Sequence, residues 1–222
     1  MNKQVTFEDV RNAPEVRTYI TQADASLISM GYTEHSFAHV SRCAQVAADI
    51  LTRLGYDPRQ VELAKIAAFM HDIGNVINRA DHAQSGAVMA FRILDKMGMP
   101  PAEVATVITA IGNHDEHTAF PVNAVAAALI LADKSDVRRT RVRNQDITSF
   151  DIHDRVNFAV EHSDVILNTD EKTITLTLTI NTQVCAVMDY FEIFLQRMLL
   201  CRKAAEFFSL TFRLEINGQL LL

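Results

Sequence analysis

Residues 67 to 77 read AAFMHDIGNVI, so a histidine and an aspartate, His71 and Asp72, close a strongly apolar stretch. Successive residues on a helix point about 100° apart, so a target reached by both must lie past the helix end, where Gly74 places it. A carboxylate at a helix C-terminus faces the negative end of the helix dipole and is costly in an apolar setting; a bound cation relieves both penalties. Taken alone, the pair is better explained by a His-Asp hydrogen bond or a solvated helix end. Four further residues shift that balance: His39 in FAHVSR, His82 in DHAQSGA, His114 in GNHDEH and Asp133 in LADKSD. Each falls near an expected helix end or on an otherwise apolar segment, where a lone polar group needs a partner. Four imidazoles and two carboxylates, without the thiolates of a structural zinc site, suit one or two divalent ions, with Asp72 able to bridge.

The elements that must position these residues are mostly helical. Apolar residues recur at three- and four-residue spacing from Pro14 to about Asp136 and predict helices near 14 to 30, 36 to 54, 58 to 72, 82 to 97, 101 to 113 and 121 to 135. Gly31, Gly55, Gly74, Gly98, Pro58, Pro101 and Pro121 punctuate them as left-handed caps or helix-starting prolines. After the polar, Arg-rich segment 137 to 151 the pattern changes. ITLTLTI at 174 to 180 alternates with period two, NTDEK at 168 to 172 predicts a hairpin turn from a short strand near 165 to 167, a long helix follows over 183 to 207, and LTFRLEI predicts a last strand. The expected fold class is mainly α: a helical bundle over residues 14–145, then a smaller C-terminal α+β extension over 146–222 of antiparallel strands plus one long helix. That extension could cover the bundle, form a small α+β unit of its own or make a homodimer, and a homodimer is the expectation.

Composition narrows the function classes. A chain of 222 residues, 49% hydrophobic, can bury one substantial core or a main domain with an appendage. The longest apolar run, AVAAALILA at 124 to 132, is about half of a bilayer span, and MNKQVTFEDVRN has no apolar signal core, so a soluble cytoplasmic protein is expected. Cys43, Cys185 and Cys201 are odd in number and widely spaced, as reduced, packed thiols would be. A net charge of −6 argues against a nucleic-acid polymer or an anionic membrane as partner. Any phosphate must meet a local cationic group.

In order and context the residues resemble the HD-domain superfamily of metal-dependent phosphohydrolases, whose signature H…HD…H…H…D sits on a helical bundle. The resemblance covers roughly residues 20 to 145. HVSRCAQVAADI resembles the family's first histidine helix and FMHDIG its central motif. HAQSGA and Asn113-His114 are similar to the second histidine pair of the two-metal branch, which includes bacterial diadenosine tetraphosphate hydrolases. ADKSDVRR is similar to that branch's last aspartate segment, with Lys134, Asp136 and Arg139 at matching offsets. The resemblance implies one metal on His39, His71, Asp72 and Asp133, and a second on Asp72, His82 and His114. Imidazole and carboxylate ligands leave the ion open among Fe, Mn, Co, Zn, Ni and Mg.

The implied activity is hydrolysis of a phosphoester or phosphoanhydride in a small phosphorylated metabolite, a nucleotide or dinucleoside polyphosphate, by metal-activated water. Asp72 and Lys134 are the expected catalytic residues, with Asp115 or His117 as the acid for the leaving group. One departure stands out: many relatives carry a lysine after HDIG, where this chain has Asn75, whose amide supplies no positive charge. Lys134, Arg42, Arg138 and Arg139 are the candidates to compensate, so the expected substrate-binding set is Arg42, Asn75, Lys134, Arg138 and Arg139. The same departure keeps open a catalytically silent metal- or nucleotide-binding regulatory module. A metal-free helical scaffold ranks last. Of the other histidines, His35 is expected to cap a helix or support a ligand, and His117, His153 and His162 to be exposed. Cys43 is expected in the core.

Overall fold

The computed structural model describes residues 4–221. Among the described residues the first helix is the short α1 (Phe7–Asn12), followed by α2 (Pro14–Ser29), α3 (Phe37–Arg53), α4 (Pro58–Met70), α5 (His82–Lys96), α6 (Pro101–Gly112) and α7 (Ala124–Lys134). These agree with the helices expected from apolar periodicity, with ends trimmed by side-chain caps: Ser36 accepts from the Ala38 N–H, and Asn123 from the Ala126 N–H, so α7 starts after Asn123 rather than at Pro121. α1 has only six residues, too few to show a period. Its signal is a capping box in which Thr6 and Asp9 exchange hydrogen bonds with each other's backbone.

The extension consists of α8 (Ile152–Ala159), β1 (Val160–Asn168), β2 (Thr173–Ile180), α9 (Val187–Phe207), β3 (Thr211–Ile216) and β4 (Gln219–Leu220). Its sheet has the order β1-β2-β3-β4. β1 and β2 form the expected antiparallel hairpin around NTDEK, although β1 is longer than the sequence suggested. The expectation of an all-antiparallel sheet is corrected by β2 and β3, which pair in parallel from Thr173↔Thr211 to Leu178↔Ile216. The physical reason is α9: a helix between two strands returns the chain to the end where it started, and parallel neighbours need such a crossover.

α7 holds the two parts together. All of its residues are buried. Val125, Ala128, Leu129 and Ala132 enter the core of the helical bundle, whereas Ala127, Ile130 and Leu131 pack with Leu176, Leu214, Phe194 and Met198 of the extension. The apolar run read as too short for a bilayer is thus a central helix covered on every side. No helix among the described residues is long and apolar enough to cross a membrane.

Gly74 has a different role from the one expected. Gly31, Gly55 and Gly98 have positive φ and close their helices as left-handed caps, but Gly74 does not. A Cβ on Gly74 would lie 2.0 Å from the His82 carbonyl oxygen and 2.5 Å from the Gly86 nitrogen. Its missing side chain lets the start of α5 seat against the turn Ile73–Val76, which brings His82 up to Asp72.

Candidate metal centre

Five helix ends converge. His39 lies on the first turn of α3, His71 and Asp72 directly follow α4, His82 opens α5, His114 follows α6, and Asp133 lies on the last turn of α7. All six are buried. The Asp72 carboxylate is central, and its two oxygens face different partners. Oδ2 lies 3.2 Å from His71 Nε2 and 3.7 Å from His39 Nε2. Oδ1 lies 3.5 Å from His82 Nε2 and 3.9 Å from His114 Nε2. Asp133 Oδ1 completes the first side, 3.4 Å from His39 Nε2 and 3.7 Å from His71 Nε2. The structure therefore brings the six expected ligands into two groups that share Asp72.

The other ring nitrogen of each histidine fixes its protonation. His71 Nδ1–H donates to the Ala68 carbonyl at 2.7 Å, His114 Nδ1–H to Ile111 at 2.6 Å, and His82 Nδ1–H to Arg79 at 3.0 Å. His39 Nδ1–H donates to the Asp136 carboxylate at 2.7 Å. In the neutral rings every Nε2 is then a bare lone pair, and all four point inward. Among the described residues, His71 Nε2 is buried without a well-formed hydrogen bond, with Asp72 Oδ2 3.2 Å away. His82 Nε2 and His114 Nε2 face each other at 3.2 Å, two acceptors in contact. Lone pairs turned toward carboxylates and toward one another repel, and a cation among them converts the repulsion into coordination. Metal bonds of about 2.1 Å give ligand-to-ligand edges of about 3.0 to 3.4 Å. The spacings here match, or exceed that range by a few tenths of an ångström. Three backbone carbonyls and one carboxylate behind the rings are the supports that metal-binding histidines use.

Charge points the same way. Burial alone would push both carboxylates toward neutrality, but His71 holds Asp72, and Lys134 with His39 holds Asp133, well below the ordinary carboxylate range. Burial depresses His82, and burial with the nearby His71 and Lys134 depresses His114 strongly. His71 differs: burial opposes its charge, yet the Asp72 and Asp133 carboxylates raise its pKa. Ionised carboxylates beside His82 and His114, whose neutral forms are favoured, are the states that bind a metal, whereas at His71 the carboxylates draw positive charge into the centre. Cys43 Sγ packs 3.8 Å from His39 Nε2, but burial and the adjacent carboxylates push its thiol well up, so it sits under the ring as a neutral core group.

The remaining expected site residues divide. Lys134 is buried beside the centre, with Nζ 2.7 Å from Asp133 Oδ2 and 3.7 Å from Glu116 Oε1. Asn75 is buried too, and its amide donates at 2.9 Å both to the Asp72 backbone oxygen and to Asp72 Oδ1. Asp115 Oδ1 lies 4.0 Å from His82 Nε2. The structure does not bring Arg42, Arg138 or Arg139 to the cluster. Arg42 pairs with Asp136 at 3.2 Å and donates to the Ser163 carbonyl. Arg138 pairs with Asp136 at 2.8 Å and with Glu34 at 3.1 Å, and Arg139 reaches the Phe158 carbonyl at 2.6 Å. His117, His153 and His162 are exposed. His35 Nδ1–H donates to the Thr33 carbonyl, with its ring 5.5 Å from that of His39.

Two residues near the centre escaped the sequence reading. Asp136 was noted only for its offset from Asp133, and its role needs His39, 97 residues away. Arg79 sits in the polar turn before α5, where nothing in NVINRAD marks it. A cavity of about 920 Å³ opens beside the cluster, lined by Tyr32, His35, Arg79, Asp115, His117 and residues of the extension, among them Asn157, Phe194 and Arg197.

This fold, with paired His and Asp ligands at converging helix ends, defines a class. The HD domain family matches residues 36–192. The chain belongs to the HD domain family. Among solved structures, it is similar to a crystal structure of a predicted HD superfamily hydrolase from an uncultured Thermotogales bacterium, at 29% identity over 57% of this chain and 68% of that one, with a TM-score of 0.46. No curated protein matches the chain.

Proposed function

We propose that this protein is a metal-dependent phosphohydrolase that cleaves a phosphoester or phosphoanhydride of a small, nucleotide-like metabolite. The observation that carries the reading is the four inward Nε2 atoms around a two-sided Asp72, with the cavity opening beside them at Arg79 and Asp115. His39, His71, Asp72 and Asp133 would hold one divalent ion, and Asp72, His82 and His114 a second. Ions so placed supply Lewis acidity to phosphoryl oxygens and acidify a water near neutral pH.

The chain's own residues do the rest. Asn75 fixes Asp72 by donating one hydrogen bond to carboxylate Oδ1 and one to the backbone oxygen, so the carboxylate oxygens keep their two directions. Lys134 neutralises Asp133 and adds positive charge behind the reacting phosphoryl group. Asp115, on the cavity wall, would be the acid for the departing oxygen. A cavity of this size, with Tyr32 and Phe194 on its walls, suits a metabolite rather than a polymer. The test is phosphate release from a panel of nucleotides with Mn, Fe, Co or Mg. Wild type turns over at least one of them and Asp72→Ala does not. A wild type that is inactive across every ion and nucleotide sinks the reading, and a nucleotide that raises Tm without being consumed assigns the silent regulatory module instead.

A further inference from the structure

The cavity meets the cluster at Arg79. Its Nη1 lies 3.2 Å from Asn75 Oδ1, 3.4 Å from His82 Nε2 and 3.9 Å from Asp72 Oδ1. Its guanidinium lies over the Tyr32 ring, 5.6 Å from the centroid, and its side chain is 27% exposed on the cavity wall. The cavity's two other arginines are committed. Arg141 is buried and donates to the backbone oxygens of Glu34 and Asp136, and Arg197 donates to the Glu116 carboxylate at 2.6 Å. Arg79 has no carboxylate within hydrogen-bonding distance among the described residues. Its contacts are an amide oxygen and an imidazole lone pair. A cation on Asp72, His82 and His114 would take that lone pair and repel the guanidinium, leaving it to Asn75 and the Tyr32 face at the cavity edge.

The other walls carry the opposite charge. Asp81, Asp115, Asp151 and Asp154 line the cavity beside Glu116, which is taken up by Arg197 and Lys134, so an anionic group deeper inside meets carboxylates. An anion is therefore favoured at one place, between the cluster and Arg79. We propose that Arg79 is the phosphate-binding side chain of this site, aimed by Asn75 and Tyr32, and that it receives two oxygens of a phosphoryl group held against the metal cluster. The planar guanidinium fork suits that task, where the point charge of a lysine does so less well. Asn75, which carries no charge, acts as a positioning residue for Arg79. The proposal rests on the phosphohydrolase reading for its substrate, but it can be tested with inorganic phosphate alone.

The experiment is calorimetric titration of inorganic phosphate into the metal-loaded full chain, with metal content and Tm measured on the same samples, for wild type, Arg79→Ala and Arg79→Lys. Arg79→Ala is expected to keep its metal and Tm and to bind phosphate on the order of tenfold or more weakly. Arg79→Lys should recover part of that loss. Phosphate affinity within about twofold of wild type in Arg79→Ala overturns the proposal. So does a wild type that binds no phosphate, or an Arg79→Ala protein that loses its metal, because Arg79 would then be supporting the cluster. If no nucleotide is hydrolysed but Arg79→Ala still loses phosphate binding, the phosphohydrolase reading fails and this one stands.

Discussion

On one side of Asp72, His39 and Asp133 stand on charged supports, while His71 leans on the Ala68 backbone carbonyl. His39 leans on Asp136, which also takes Arg42 and Arg138, and Asp133 is locked to Lys134. On the other side, His82 and His114 lean on backbone carbonyls alone, and the exposed neighbours are Arg79 and the cavity. The inner half is fixed by ion pairs with almost no contact with solvent, and the outer half is fixed by how closely α5 approaches the α4 end. A carboxylate behind a histidine strengthens it as a ligand, so on the proposed two-ion reading the inner half, through His39 and Asp136, should hold its ion more tightly and the outer half should exchange more freely. The difference fits a division of labour in which one ion is structural to the site and the other faces what enters the cavity.

The largest effect belongs to the residue that both halves share. Asp72→Ala is expected to lose bound metal from both sides and all hydrolysis, measured by elemental analysis and phosphate release; loss of one equivalent only would break the bridging assignment. Next comes Asp136→Asn, which leaves His39, Arg42 and Arg138 short of a buried negative charge. It should destabilise the fold by about 3 kcal/mol and weaken the inner ion first. Burial opposes the charge on Asp136, but His39, Arg141 and Arg138 hold its pKa well below the ordinary carboxylate range. A depressed folded-state pKa gives stability that is present above the unfolded value of about 4 and is lost as pH falls through that value toward the folded one. The Tm gap between wild type and Asp136→Asn should therefore be widest near neutral pH and narrow below about pH 4.

Gly74→Ala tests the outer half. Its Cβ meets backbone at 2.0 Å, so α5 must move, costing about 2 kcal/mol and weakening the outer ion while the inner one stays. Equal loss of both ions would show that the halves are not independent. Cys43→Ala has the smallest effect, about 1 kcal/mol of stability from lost packing with metal content unchanged. A drop in metal content would make the thiol a ligand.

The cluster was legible in the sequence because His39, His71, Asp72 and Asp133 are polar residues in otherwise apolar helical segments, a conflict that a partner resolves, while His82 and His114 were legible through their position near helix ends and their order in the HD signature. The helices were legible for the same reason, as their buried faces recur at helical spacing. Strand direction was not: the alternation in ITLTLTI says which residues face the core and nothing of which neighbour runs alongside, so the parallel pairing of β2 with β3 was hidden. Arg42, Arg138 and Arg139 were visible as charges, but their partners, Asp136, Glu34 and the Phe158 carbonyl, are set by tertiary packing. Gly74 was visible as a helix stop, while the close approach that requires it depends on α5.

The central claim is that Asp72 joins two cation sites, and stepwise chelation of the metal-loaded protein tests it most directly. Elemental analysis at each step, on wild type and Asp72→Ala, is predicted to show two equivalents in wild type, one released well before the other, and none retained by a folded Asp72→Ala. A fully folded wild type that holds no metal after metal-replete purification, or an Asp72→Ala protein that holds as much as wild type, would contradict it.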